Sequence, residues 1–228
     1  MLINRLINFV LEIMEKEKID KKDHILDVAE RIFAEHGFDG ASTRLISGEA
    51  GVNMAMLNYY FGSKEGLLLS VFERRTATFH SLIQDIGKKE SISSWQKIVE
   101  YIEAYLGRVF SNNCFQKMVH QEMSVRRTGE LSEKITTMIM QNVVEFRKIL
   151  HEGIERGEFK RDIDTDMVVA TVFGVKSQLL NAPQICSIML GYDTQDPQNM
   201  EEKLKPRVIE YLKKLLKSYL LIENDNAK

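Results

Sequence analysis

Residues 42–64 carry side chains able to read or grip a nucleic acid. Asn58 can offer a paired donor and acceptor to adenine, and Arg44 can hold guanine or a phosphate with two N–H groups. The hydroxyls of Ser42 and Tyr60 and the ammonium of Lys64 suit phosphate oxygens, which set register but not sequence. Met54 and Met56 are apolar: they can meet thymine methyl groups, or they can pack in a core. Catalytic chemistry finds less support. Ser94-Trp95-Gln96-Lys97 has the Ser-x-x-Lys spacing of a nucleophile motif, but its companion motifs are missing and Ser93/Ser94 read as a helix cap. His120-Gln121-Glu122 lacks the second histidine of a helical metal pair. Gly62-Ser63-Lys64-Glu65-Gly66 is neither a nucleophile elbow nor a phosphate loop. The chain therefore reads as no enzyme, with no cofactor and no metal.

The elements that must position these residues are helices. The 228 residues are long enough for one or two real cores. All three prolines, Pro183, Pro197 and Pro206, lie late, and strict two-residue alternation is hard to find. Helical periodicity is frequent, as in Ile25, Val28, Ala29, Ile32 and Phe33, or Ile98, Tyr101, Ile102, Tyr105, Leu106 and Val109. The fold class is all-α. Ser42 or Thr43, Asn53 and Ser63 are N-cap candidates, Gly37, Gly51 and Gly62 stop signals, and Asn199-Met200-Glu201-Glu202 reads as a capping box for the last helix. Residues 1–20 read as an amphipathic N-terminal extension, separate from a helix that starts at Asp23. Initiation at Met14 would remove most of it.

Charge sets a limit. The formal net charge is -2, and residues 1–66 hold eight Lys/Arg against eleven Asp/Glu. From Gly40 to Lys64, Arg44 and Lys64 face Glu49 alone. Any nucleic-acid binding is therefore local. Two cysteines, Cys114 and Cys186, make no disulfide framework, and no run of about 20 apolar residues spans a membrane. With no export signal, the expected location is the cytoplasm.

Ala50-Gly51-Val52 is a tight helix-turn-helix corner, which makes Met54 to Tyr60 the recognition helix. The longer string ILDVAERIFAEHGFDGASTRLISGEAGVNMAMLNYYFGSKEGLL, residues 25–68, resembles the DNA-binding domain of the tetracycline-repressor (TetR) family. Glu158-Phe159 and Asp162-Ile163-Asp164 resemble that family's entry to its penultimate helix. The resemblance implies a three-helix DNA-binding domain at 21–66 and a helical ligand-binding and dimerisation domain at 67–228. It implies a ligand-responsive regulator, usually a repressor, that binds a palindromic DNA operator as a homodimer and is released by a small molecule. Ser42, Thr43 and Arg44 match the start of the second helix, Met54, Met56, Asn58 and Tyr60 the groove-facing positions, Tyr59 a phosphate-touching aromatic, and Lys64 a backbone-gripping lysine. Asn58 stands where many members carry tyrosine, and Ser47 where alanine is usual.

In the second half, Trp95, Tyr105, Phe110, Phe115, Met118, His120, Met123 and Phe146 are the candidate lining of an effector pocket. The same residues at helical spacing also suit plain core. The remaining histidines, His24, His36, His80 and His151, read as surface. The last two helices, about Thr165–Leu190 and Asn199–Ile222, carry apolar faces wide enough to bury against a second copy. The competing reading is a helical small-molecule-binding protein with a degenerate DNA-binding domain, which the acidic N-terminal charge favours.

Overall fold

The computed structural model describes residues 2–111, 113–124 and 129–222. Side chains before Ile19 lie outside the described residues, and with them the apolar face expected at the N-terminus. Regular structure there is helical: α1 (Leu2–Gly40), α2 (Thr43–Glu49), α3 (Met54–Phe61), α4 (Lys64–Gly87), α5 (Ser94–Ser111), α6 (Asn113–Ser124), α7 (Glu130–Glu155), α8 (Thr165–Asn181), α9 (Pro183–Leu190), the short α10 (Pro197–Asn199) and α11 (Lys205–Leu220). One isolated bridge joins Phe159 to Leu221.

Three expectations change. The N-terminal extension and the helix expected from Asp23 are one helix, because no glycine or proline interrupts the chain before Gly37, where φ reaches 69°. The long helix expected over 165–190 breaks at Ala182. Pro183 has no N–H to continue the ladder and pushes the residue before it out of helical backbone, here to φ -128° and ψ 54°. The capping box at Asn199 is replaced by Asp196, whose carboxylate accepts from the Asn199 N–H at 2.8 Å. A π-helical turn, Met200–Leu204, then leads into α11.

Two apolar cores form, and α4 runs through both. Leu67, Leu68, Val71 and Phe72 pack with α1–α3 around Ile25, Ile32, Phe33, Ile46 and Leu57. Phe79, Ile83 and Ile86, further along α4, pack with α5, α7, α8 and α11 around Tyr101, Phe146 and Leu212. The first core also takes in Phe115, Met118 and Ile135 from α6 and α7, so apolar packing continues across residue 67.

One close approach ties α7 to the segment after it. The Gly153 carbonyl accepts from the N–H groups of Glu158 and Phe159, and a methyl on Gly153 would stand 2.2 Å from the fully buried Phe159 ring. Gly153→Ala should therefore cost about 1–3 kcal/mol through overpacking. Thermal unfolding followed by circular dichroism should show a lowered midpoint, and an unchanged midpoint would contradict this contact.

Candidate nucleic-acid interface and a cationic cavity

The α2–α3 corner is built from caps and two anchors. Ser42 Oγ accepts from Leu45 N–H at 3.0 Å and Asn53 Oδ1 from Met56 N–H at 2.8 Å, so each helix begins on its own side-chain cap. Gly51 sits at φ 63°, a backbone that lets Val52 N–H return to Ser47 O at 2.9 Å. Leu57 and Phe61 bury one face of α3 four residues apart. The opposite face is left outward: Asn58 is exposed, Tyr59 is 71% exposed and Met54 38%. Arg44 is exposed at the start of α2 beside half-buried Thr43.

The other expected contacts are shared with packing. Met56 is half-buried, and half-buried Tyr60 lies against the first core with its ring edge-on to Tyr59. Lys64 stacks its ammonium 4.4 Å above the Phe38 ring. Ser42 uses a lone pair as a cap, which leaves its hydrogen free to donate. Ser47, unusual against the family pattern, lies 3.1 Å from Arg44 O and 3.3 Å from Met54 Sδ, so its hydroxyl links α2 to the first turn of α3. The α3–α4 corner is equally tight. Ser63 Oγ accepts from Gly66 N–H, and a methyl at Gly66 would stand 2.1 Å from the Phe61 carbonyl oxygen.

Further along α4, a cavity of about 80 Å³ lies between α4, α5, α6, α7 and α8. Its apolar wall includes Phe79, Tyr105, Val109, Phe115 and Phe173; its charges are Arg75, Arg108 and Lys176. A second hollow of about 210 Å³ adds His120 and Met123 and shares Gln116, Val119, Ile139, Phe173 and Lys176 with the first. The two are adjoining parts of one groove, together near the lower end of the ~300–1,000 Å³ common for small-molecule sites. Two buried polar atoms on the inner wall, Tyr105 Oη and Asn142 Oδ1, have no hydrogen-bond partner. Burial lowers the Lys176 ammonium. It lowers the Arg108 guanidinium too, and the nearby Arg75 cation adds to that effect.

Tyr105, Phe115, His120 and Met123 thus meet around the groove. Trp95, Phe110, Met118 and Phe146 do not line either hollow: Phe146 stacks on Tyr101 at 4.0 Å, Met118 joins the first core, and Trp95 and Phe110 join the second. Sequence reasoning missed Arg75, Arg108 and Lys176. The available signal was a cation interrupting an apolar run, as Lys176 does between Val175 and Leu179. The Ser-x-x-Lys motif resolves into scaffold. Lys97 is buried, with Nζ bonded to Gly87 O at 2.7 Å and to both Glu152 oxygens at 2.8 Å, while the Ser94 hydroxyl has no partner. Burial works against the Glu152 charge, yet the Lys97 and Arg156 hydrogen bonds hold its carboxyl below the usual range. Of the histidines, His80 is half-buried rather than surface, with Nδ1 enclosed and unpartnered.

Residues 25–71 match the N-terminal domain of bacterial regulatory proteins of the tetR family, and residues 96–209 match a tetracyclin repressor-like C-terminal domain. The chain belongs to the TetR family. It is a ligand-responsive transcriptional regulator, with its helix-turn-helix at α2–α3. It is 27% identical to the fatty acid metabolism regulator protein of Bacillus subtilis over 161 residues, which span 70% of this chain and 81% of that one. It is 31% identical to the transcriptional repressor NicS of Pseudomonas putida over 148 residues, 62% of this chain and 67% of that one. The fold is shared with a putative fatty acid metabolism regulator of Clostridium perfringens, with a TM-score of 0.70 at 20% identity, covering 88% of this chain and all of that one. It is shared also with Bacillus subtilis FadR, solved in complex with stearoyl-CoA, with a TM-score of 0.62 at 24% identity and coverage of 83% and 96%. No helix among the described residues is long and apolar enough to cross a membrane.

Two buried tyrosines of the second core, one of them on the cavity wall, give a pH signature. Burial pushes the hydroxyls of Tyr101 and Tyr105 well above the ordinary tyrosine value of about 10. The folded state thus favours the neutral phenol, and the stability this gives is complete below that pH. It is lost as pH rises further, because the unfolded chain ionises first. Tyrosinate absorbance should rise in two stages, exposed tyrosines first and these two only with loss of helical circular dichroism. A single stage with helicity intact would contradict their burial.

Proposed function

We propose that the protein is a homodimeric repressor that reads a palindromic DNA operator with α3 and releases it when a fatty acyl ligand, such as a long-chain acyl-CoA, enters the groove. The observation that carries the DNA reading is the outward face of α3, where Asn58 and Tyr59 are exposed while Leu57 and Phe61 anchor the helix. In this reading Asn58 pairs with adenine, Arg44 holds guanine or phosphate, and Met54 and Met56 meet thymine methyls. Ser42, Thr43, Tyr59, Tyr60 and Lys64 hold phosphates. The ligand class is supported by an apolar groove with three cations and by the named relatives. An acyl chain fits Phe79, Val109, Phe115 and Phe173; an acidic head fits Arg75, Arg108 and Lys176. His120 and Met123 line its outer part.

Dimerisation through α8 and α11 is part of this reading. On α11, Val208, Leu212, Leu216 and Leu220 face the core, while Tyr211, Leu215 and Tyr219 form an exposed stripe four residues apart. On α8, Met167 is 59% exposed beside exposed Ala170 and Gly174, which let a second helix approach closely. Tyr211→Glu should convert a dimer into a monomer in sedimentation equilibrium and weaken operator binding. A variant that stays dimeric would place the interface elsewhere.

The decisive experiment is capture and sequencing of fragmented genomic DNA by the full-length protein, beside an Arg44→Ala/Lys64→Ala control. Enrichment of palindromic sites by the intact protein alone, reversed by stearoyl-CoA, is the expected result. Enrichment equal to the control would overturn the reading. On a recovered site, Lys64→Ala should weaken binding to every sequence and reduce its salt dependence. Asn58→Ala should relax preference at one base position by about 1–3 kcal/mol. Equal loss on all sequences for Asn58→Ala would remove its base-reading role.

A further inference from the structure

Tyr105 on α5 and Asn142 on α7 both line the inner hollow of the groove, and both are buried, 6% and 9% exposed. Tyr105 Oη and Asn142 Oδ1 have no hydrogen-bond partner among the described residues. Packing fixes the phenol where it stands. Its ring lies 5.1 Å from Phe173, 5.7 Å from Phe79 and 5.8 Å from Tyr101, centroid to centroid, so the hydroxyl is not free to swing to another partner. On α7, one turn beyond Asn142, Phe146 stacks on Tyr101 and holds that helix against α5. A buried hydroxyl or amide oxygen left unpaired lowers stability, and a folded protein keeps few of them.

The two atoms ask for one kind of group. Burial, with Tyr101 nearby, pushes the Tyr105 hydroxyl well above its ordinary ionisation range, so it keeps a proton to donate. Asn142 Oδ1 only accepts. A single group that serves both must accept from the phenol and donate to the amide oxygen, which is the chemistry of a hydroxyl. A saturated chain serves neither, and a ketone or ether oxygen serves Tyr105 alone. Arg75, Arg108 and Lys176 line the same hollow of about 80 Å³. A hydroxyl that meets Tyr105 and Asn142 therefore lies only a few bonds from the group that meets the cations.

We propose that the groove selects a 3-hydroxyacyl group over the plain acyl chain, its hydroxyl seated between Tyr105 and Asn142 and its carbonyl end at the cations. This rests on the reading of the groove as the site of an acyl ligand. A 2-hydroxyl stands close enough to its own carbonyl oxygen to share the same cation; the 3-position is the nearest that reaches a separate pair of partners. The carbonyl end is the carboxylate of a free acid or the carbonyl oxygen of a thioester, and either accepts from Arg108 or Lys176. Lys176 already donates to Gln116 Oε1 at 3.0 Å and has two further hydrogens to give. Selection comes from what the plain chain leaves behind: two buried polar atoms facing hydrocarbon. A site that bonds a hydroxyl rejects the analogue that lacks it far more strongly than an apolar pocket rejects an added one.

The test is equilibrium dialysis of the full-length protein against two matched pairs, stearoyl-CoA with 3-hydroxystearoyl-CoA and stearate with 3-hydroxystearate. Within a pair that binds, the hydroxylated member should bind on the order of tenfold more tightly. Which pair binds separates the thioester from the free acid as its source. Tyr105→Phe and Asn142→Leu should each bring the ratio close to one. Tyr105→Phe should do so without lowering the thermal unfolding midpoint, because it removes an unpaired buried hydroxyl, whereas a damaged fold would lower it. Tyr101→Phe is the control: Tyr101 Oη is buried and unpartnered too, but Tyr101 is not among the residues lining the cavity, so the ratio should persist. Equal affinity within a pair that binds, as a bridging water kept beneath either chain would give, would overturn the hydroxyl site and leave the acyl reading standing. A preference that survives both Tyr105→Phe and Asn142→Leu would overturn it as well. Failure of all four ligands to bind would remove the acyl reading and this inference with it.

Discussion

One helix has to satisfy two cores. The first turns of α4 complete the packing around Ile32, Phe33 and Leu57, and its last turns complete the packing around Tyr101 and Phe146. No proline interrupts it, and the glycines Gly66 and Gly87 fall at its two ends. A continuous helix transmits rotation and translation along its axis rather than absorbing them. The positions of α1–α3 and of α5–α8 are therefore linked through shared side chains rather than through a linker. Phe115, Met118 and Ile135 reinforce the link by reaching into the first core from α6 and α7.

The acidic balance of the N-terminal region takes on a different meaning in three dimensions. Asp23, Asp27 and Glu30 point at Arg74 and Arg75, cations that lie beyond the first 66 residues. Glu49, at the end of α2, pairs with Arg31 at 2.9 Å. Four of the acids that count against nucleic-acid binding in a residue tally, Asp23, Asp27, Glu30 and Glu49, are thus engaged in holding helices together. Around the corner, Arg44 is exposed, and Lys64 lies near enough to Glu65 to help hold that carboxyl below its usual range. Local field, rather than net charge, governs what this face attracts.

Much of this was legible in the sequence because it depends on short-range chemistry. The caps Ser42, Asn53 and Ser63, the turn at Gly51 and the buried pair Leu57/Phe61 are all visible as residue types at fixed offsets. The exposure of Asn58 and Tyr59 follows from the same periodicity. What could not be read depends on pairs far apart in the chain. Glu30 with Arg75, Lys97 with Glu152, and the meeting of Tyr105, Arg108 and Lys176 at one cavity have no local signature. Aromatic and methionine residues are ambiguous for a related reason. Phe146 and Tyr105 have the same helical spacing, but only Tyr105 faces a gap that its neighbours fail to fill. Helix ends misjudged from sequence, at Ala182 and Asn199, follow from prolines whose effect depends on the turn they enter.

The contact between Gly66 and the Phe61 carbonyl leaves no space for even a methyl group. The bend from α3 into α4 is thereby a stiff elbow. In a dimer there are two such elbows, and the two copies of α3 must meet grooves about one helical turn of DNA, ~34 Å, apart. Any change of angle at the elbow alters that span from both sides at once. In the proposed reading, base preference belongs to side chains such as Asn58, and the spacing of two half-sites belongs to a glycine held against a backbone carbonyl.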